Sequence, residues 1–149
     1  MKGIYADINL TNATDKALAQ RKFIADNEVK NVTVNMLINP RAYLMSITET
    51  VQKQLDLPVI EKRKLKSSDG SVKKFDVTGP IIVKFKNRIA CCNAIVYPDS
   101  NESILGSIPF AELDVVIDQQ QLVVNPDHPD GAQLHMKQQR YFQHPQLTS

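Results

Sequence analysis

Three carboxylates stand where the sequence could place acid-base chemistry, but no complete catalytic motif surrounds any of them. Asp118 ends the apolar run Val116-Ile117, and two glutamines follow it. A carboxylate in this setting is more typical of a turn than of a reacting group. The three candidates by position are Asp26, Asp69 and Asp118.

Histidine and cysteine do not supply a clear site either. The histidines are His128, His135 and His144, and intervals of seven and nine residues match no common metal-ligand spacing. Cys91 and Cys92 are adjacent, so on a strand their side chains point to opposite faces and cannot easily bridge each other. We expect two reduced cysteines, no metal and no cofactor.

A side-chain amide occupies the most conspicuous loop of the chain. The alternation in 29–38 predicts a buried-face strand, and a short strand is predicted over 43–45. Between them lies Asn39-Pro40-Arg41, where Pro40 ends the first strand. Residues 48–55 then carry the spacing of a short amphipathic helix. Asn-Pro is also a common turn initiator, so a plain surface turn is the alternative.

The frame around this loop resembles the small bacterial members of the retropepsin-like (clan AA) aspartic proteases. Those chains read apolar-apolar-Asp-Thr/Ser-Gly-Ala before a short helix, where this sequence has Leu37-Ile38-Asn39-Pro40-Arg41-Ala42. A second similarity is Ile104-Leu105-Gly106, an apolar-apolar-Gly segment that the family packs beside its catalytic loop. The resemblance covers about residues 4–126. It implies a closed, all-β retropepsin-like barrel with one or two short helices.

The resemblance also implies that catalysis is lost. In the family, two such loops bring two aspartates together around one water and one shared proton, because two like charges at such a short distance cannot both ionise. Asn39 cannot share a proton, Pro40 lacks the hydroxyl and amide of Thr or Ser, and Arg41 replaces a small glycine. We interpret these three residues as a degenerate catalytic site.

A charged hairpin is predicted next, because Asp69-Gly70 is a strong signal for a tight turn between two strands within 59–75. By position it resembles the flap that closes over the peptide cleft of retropepsins, which makes Ser68, Asp69 and Gly70 candidate substrate-binding residues. The alternative is a solvated hairpin whose charges discourage aggregation.

The remaining elements are predicted with less pattern to guide them. We expect strands over 4–10, 20–25, 81–85 and 89–97, with a turn at 77–80. We expect position 106 to require glycine because a strand passes close to the Asn39 segment there, where a Cβ atom would clash. Residues 127–149 are expected to form a polar tail, helical over 132–141 or disordered.

Composition favours a single domain and excludes several partners. The chain has 149 residues, 42% of them hydrophobic, and a formal net charge of +2. We expect one domain over 1–126, no membrane partner, and no nucleic acid, because the basic hairpin residues have no interleaved aromatics. The N-terminus has no signal-peptide core, which favours a cytoplasmic location.

Three functions therefore remain open. The first is a pseudoprotease that keeps a peptide-binding or protein-binding cleft, with a homodimer implied by the family. The second is a working aspartic peptidase that uses another carboxylate or an intact paralogous partner. The third is a structural barrel with a role in assembly.

Overall fold

The computed structural model describes residues 3–134, and strands dominate this part of the chain. The strands are β1 (Tyr5–Asn12), β2 (Asn31–Ile38), β3 (Met45–Thr48), β4 (Val59–Lys66), β5 (Val72–Phe85), β6 (Arg88–Tyr97), β7 (Ile104–Leu105), β8 (Val115–Asp118) and β9 (Gln121–Val124). The helices are α1 (Ala13–Gln20), α2 (Glu49–Leu55) and α3 (Ser107–Leu113), with a 3-10 helix at Asp26–Glu28.

Seven strands form one sheet, in the order β1-β2-β7-β3-β6-β5-β4, and β1 also pairs with β5. Most neighbours are antiparallel, but β2 with β7 and β3 with β6 are parallel pairs. The strands β8 and β9 form a separate two-stranded antiparallel sheet. The additional β1–β5 pairing joins the first strand of this order to the last but one.

The core follows from alternation along the strands. Ile8 and Leu10 of β1, Met36 and Ile38 of β2, and Ile81 and Val83 of β5 all point inward and are buried. The opposite faces of β1 and β2 carry polar side chains, so each strand has one face toward the core. Burial of this apolar surface is the main favourable term for the fold.

Two polar side chains fix the ends of α1 and α2. The Asn12 side chain is buried, accepts a hydrogen bond from the Asp15 amide at 3.0 Å and donates to the Leu55 carbonyl at 2.9 Å. It therefore caps the start of α1 and also binds the end of α2. The Thr48 hydroxyl accepts from the Val51 amide and caps the start of α2.

The strand predicted over 20–25 is wrong. The cap at Asn12 starts a helix instead, and α1 continues to Gln20 before a turn in which the Phe23 amide donates to the Leu18 carbonyl. Phe23 is 72% exposed, so it is not a core residue of a strand. The residues of this segment lack the period-2 alternation that would have held them in a sheet.

The turn predicted over 77–80 is also wrong, because β5 continues through these residues. Val77 and Thr78 pair with Ile95 and Ala94, and pairing resumes at Ile81 opposite Cys92 after a bulge. The bulge accommodates Gly79-Pro80, since proline cannot donate a ladder hydrogen bond.

The second short strand lies at 45–48 rather than 43–45, because Met45 to Thr48 pair with β6.

Residues 127–134 contact the sheet domain. The Asn87 side-chain amide donates to the Pro129 carbonyl at 2.9 Å, and the Gln133 amide donates to the Asp114 carboxylate at 2.9 Å. Residues 132–134 have no helical assignment, and the rest of the helix predicted to 141 lies outside the described residues. Among residues 3–134, no helix has the length and apolar character needed to cross a membrane.

Candidate functional site

The loop of residues 39–44, called the Asn39 loop below, is tied directly to β7 and α3. Parallel pairing places Ile38 beside Leu105, and the backbone N–H of Asn39 donates to the Leu105 carbonyl at 3.0 Å. On the other side of the loop, the Ser107 amide donates to the Ala42 carbonyl at 2.6 Å. Two segments that are far apart in sequence therefore form one hydrogen-bonded unit.

Gly106 makes this close approach sterically feasible. A Cβ atom at this position would lie 2.7 Å from the Ala42 carbonyl oxygen, and it would also meet the Leu44 carbonyl. Both neighbours are backbone atoms, which cannot rotate away as a flexible side chain could. The predicted close approach of Gly106 to the Asn39 segment, with no room for a Cβ atom, is confirmed.

The Asn39 side chain is half-buried and completes a turn of its own loop. Its Oδ1 accepts from the Arg41 amide at 3.2 Å, and its carbonyl accepts from the Ala42 amide at 3.0 Å. These are the bonds of an ordinary turn, as Asn-Pro alone would predict. The turn is nevertheless held against Leu105 and Gly106, so it is not a free surface loop. Pro40 and Arg41 are exposed.

A pocket of about 180 Å³ opens beside this loop. Leu44 and Met45 form one side, α3 contributes Ile108 and Pro109, and Arg63 reaches the pocket from β4. Its remaining lining comes from Val77, Cys92, Asn93 and Ile95. The pocket is thus mostly apolar, and its one cation, Arg63, pairs with Glu61 at 2.6 Å, a composition that suits an apolar side chain of a ligand.

The hairpin β4–β5 is confirmed, and the candidate substrate-binding residues lie in its exposed turn. Asp69 accepts from the Ser71 amide at 2.9 Å and the Ser71 hydroxyl at 2.7 Å, while Gly70 adopts φ +90°. The Ser71 hydroxyl and amide and then the Ser67 hydroxyl lower the pKa of Asp69. Ser68, Asp69 and Gly70 therefore form a self-contained turn, and the hairpin residues that line the pocket are Arg63 and Val77.

The carboxylates considered as replacements for a catalytic acid are not gathered at the Asn39 loop. Asp26 begins the 3-10 helix after α1, Asp69 lies at the hairpin tip, and Asp118 ends β8. The hydrogen bonds of the Asn39 loop within residues 3–134 run to backbone groups, the Asn39 side chain and the Ser107 hydroxyl rather than to any of these acids. In the same range, no group of three or more metal-ligating side chains comes together. His135 and His144 lie outside the described residues.

A carboxylate centre that the sequence did not predict lies at the other end of α3. Asp114 Oδ2 is 2.6 Å from His128 Nδ1 and 3.9 Å from Arg88 Nη2. Asp114 Oδ1 accepts from the side-chain amide of Asn125 at 3.0 Å. Arg88 is fully buried and also donates to the His128 carbonyl at 2.6 Å. We call Arg88, Asp114, Asn125 and His128 the Asp114 cluster.

Desolvation would raise the pKa of Asp114, but hydrogen bonds outweigh it. The Gln133 amide, the Asn125 side chain and His128 together lower this pKa to about 2. Arg88 Nε and Nη1 have no hydrogen-bond partner among the described residues. A buried guanidinium in this state depends on the nearby carboxylate for compensation.

One sequence signal could have found the buried arginine. Arg88 is in phase with Ala90 and Ala94, which face the protein core from β6, so alternation assigns Arg88 to the inward face. The distance along the chain between Arg88, Asp114 and His128 hides the rest of the cluster.

The two cysteines are free, as expected from their adjacency. Cys91 is exposed, whereas Cys92 is half-buried and lines the pocket. Burial, with smaller contributions from Cys91 and Glu112, raises the pKa of Cys92 to about 12. A thiol with this pKa is protonated at neutral pH, so Cys92 is not a nucleophile there.

Comparison with known proteins leaves the family open. Neither a protein-family model nor a curated protein matches the chain. The similar solved structures include "EIAV protease complexed with the inhibitor HBY-793", which is 17% identical and covers 70% of this chain and 82% of its own, with a TM-score of 0.46.

Proposed function

We propose that the protein is a retropepsin-like pseudoprotease, a closed barrel whose cleft binds peptides or protein segments without cleaving them. The observation that carries the proposal is Asn39, an amide in a loop that is held against Leu105 and Gly106. An aspartic peptidase of this type needs an ionisable acid at that position.

Several features support the barrel and the cleft. The Asn39 loop follows a core strand, α2 follows the next strand, and the apolar-apolar-Gly segment packs on the loop before α3. The hairpin β4–β5 provides Arg63 at the pocket beside this loop. The additional pairing of β1 with β5 supports closure of the sheet.

The chemistry of the loop supports loss of peptidase activity. A carboxamide can hydrogen-bond a water molecule, but it cannot accept the proton that the attacking water must lose. Pro40 has no backbone N–H and no hydroxyl with which to bind a second loop. Arg41 adds a cation beside the position where two carboxylates would share a proton.

The activity prediction is absence of cleavage. Incubation with a mixed peptide library from acidic to neutral pH, analysed by mass spectrometry, should give no pepstatin-sensitive product. The variant N39D/P40T/R41G restores the missing groups, and we expect it to give pepstatin-sensitive products at least about 100-fold above the detection limit set by the natural chain, since a positioned acid-base group contributes ~10²–10⁴-fold. Pepstatin-sensitive cleavage by the unaltered protein would show that the site is active.

We also propose that the protein is a homodimer. A two-stranded sheet is marginal by itself, and β8–β9 is such a sheet with Ile117 exposed at 38%. Pairing with the same hairpin of a second copy would extend it and cover this apolar residue. Pro40 has no hydroxyl or N–H with which to bind a second Asn39 loop, so we assign most of the dimer interface to the β8–β9 hairpin.

Light scattering on the purified protein tests the dimer, which predicts twice the monomer mass at micromolar concentration. Ile117→Lys should shift the equilibrium toward monomer, since a charge would enter an apolar contact. Ile89→Lys is the matched control, because Ile89 is also exposed but lies on β6. A monomeric natural chain, or equal effects of the two substitutions, would contradict the proposed interface.

A further inference from the structure

The strand β4 is the last strand of the seven-stranded sheet. It pairs with β5 on one side, and within residues 3–134 no strand pairs with its other side. All of its residues except Leu65 are exposed. Its outer N–H and C=O groups are therefore available to an added strand.

One face of this edge carries lysines at alternate positions. Lys62, Lys64 and Lys66 lie on that face, and Lys74 lies directly opposite Lys64 on β5. Lys62 pairs with Asp76 at 2.7 Å. The other three ammonium groups have no salt-bridge partner among the described residues, and the Lys64–Lys74 pair places like charges together, which disfavours the hairpin on its own.

We propose that the free edge of β4 binds an extended acidic segment of another protein, with carboxylates at every second residue. Residues two apart on a strand are separated by about 6.7 Å, and an added strand lies about 4.8 Å away. A partner strand with the same period would therefore place one carboxylate beside each lysine of this face. Backbone pairing would supply affinity and the lysines would select the acidic sequence.

The same geometry disfavours two other occupants. A second copy of β4 would bring lysines against lysines, so self-pairing is opposed by repulsion. Nucleic acid would find the charges of this face but no aromatic side chain on which a base could stack. The inference uses no residue of the Asn39 loop, so it stands or fails separately from the pseudoprotease.

The test uses the full chain and a labelled peptide as long as β4 that alternates glutamate and valine, with binding followed by fluorescence anisotropy. K64Q/K66Q/K74Q should weaken binding at least about tenfold at low salt, because several charge pairs are lost. K16Q/K30Q/K84Q removes the same charge from exposed positions away from β4 and should have an effect below about twofold. Amide exchange should slow in 59–66 when the alternating peptide is bound.

Two further probes separate the partner classes. A peptide of the same composition with its glutamates in one block should bind at least about fivefold more weakly, because its carboxylates are out of phase with the lysines. Equal binding of the two peptides, tighter binding of a single-stranded oligonucleotide, or no binding of the alternating peptide would each overturn the proposal.

Discussion

Replacing Gly106 with alanine should lower the free energy of unfolding by about 3 kcal/mol. The added Cβ would lie 2.7 Å from the Ala42 carbonyl oxygen and would also press on the Leu44 carbonyl. Relief requires the Asn39 loop to move, but that loop is hydrogen-bonded to Leu105 and Ser107. Gly106 has an extended backbone that alanine could adopt, so the expected loss comes from the clash rather than from φ.

Chemical denaturation measures this loss, and Gly131→Ala is the matched control. A Cβ at Gly131 would meet no atom within 4 Å, so that substitution should change the free energy of unfolding by less than about 0.5 kcal/mol. A Gly106→Ala protein as stable as the control would mean that the Asn39 loop and α3 are not packed as described. The interpretation of the Asn39 loop as a fixed site, packed against Gly106, would then lose its structural basis.

The alternating strands could be predicted because a single local pattern determines them. Val32, Val34 and Met36 define the core face of β2, and Asp69-Gly70 defines the hairpin turn. The contact at Gly106 was predictable for another reason, since a glycine after two apolar strand residues indicates a close approach of backbone.

The elements that escaped prediction depend on contacts between distant residues. Asn12 stabilises α1 through its cap and also binds the carbonyl of Leu55, 43 residues away. No local pattern in 13–25 reports that second contact. The continuation of β5 through Gly79-Pro80 likewise requires β6 beside it, whereas the dipeptide alone favours a turn.

The Asp114 cluster was hidden for the same reason, and it changes how the end of the described chain is understood. The polar composition of 127–134 predicts a solvated tail. Instead, His128 and Gln133 bind one carboxylate, which compensates the buried Arg88. A short polar segment is therefore held by charge and hydrogen bonding, which composition does not reveal.

Asp114→Asn should cost about 3 kcal/mol at neutral pH, since breaking a buried charge pair leaves the other charge uncompensated. The Asp114 carboxylate accepts from Gln133, His128 and Asn125 at its two oxygens. An asparagine amide must turn its NH₂ group toward at least one of these donors, and it also removes the negative charge near Arg88. Denaturation curves give the loss directly.

Asp56→Asn is the control, because Asp56 also ends a helix in the left-handed conformation but is exposed. Asparagine adopts that conformation as readily as aspartate, so this change should cost less than about 0.5 kcal/mol. Equal losses for the two variants would show that Asp114 acts only through its backbone.

The pH dependence of the stability difference between the natural chain and Asp114→Asn shows how much of it comes from the charge of the Asp114 carboxylate. The pKa of Asp114 falls from 3.8 to about 2 on folding, so its ionisation stabilises the protein fully above pH 3.8 and progressively less as the pH falls toward 2. This part of the effect is on the order of 1–2 kcal/mol. The stability gap between the natural chain and Asp114→Asn should therefore narrow by that amount across this range, whereas a gap that stays constant would assign the loss to packing and neutral hydrogen bonds.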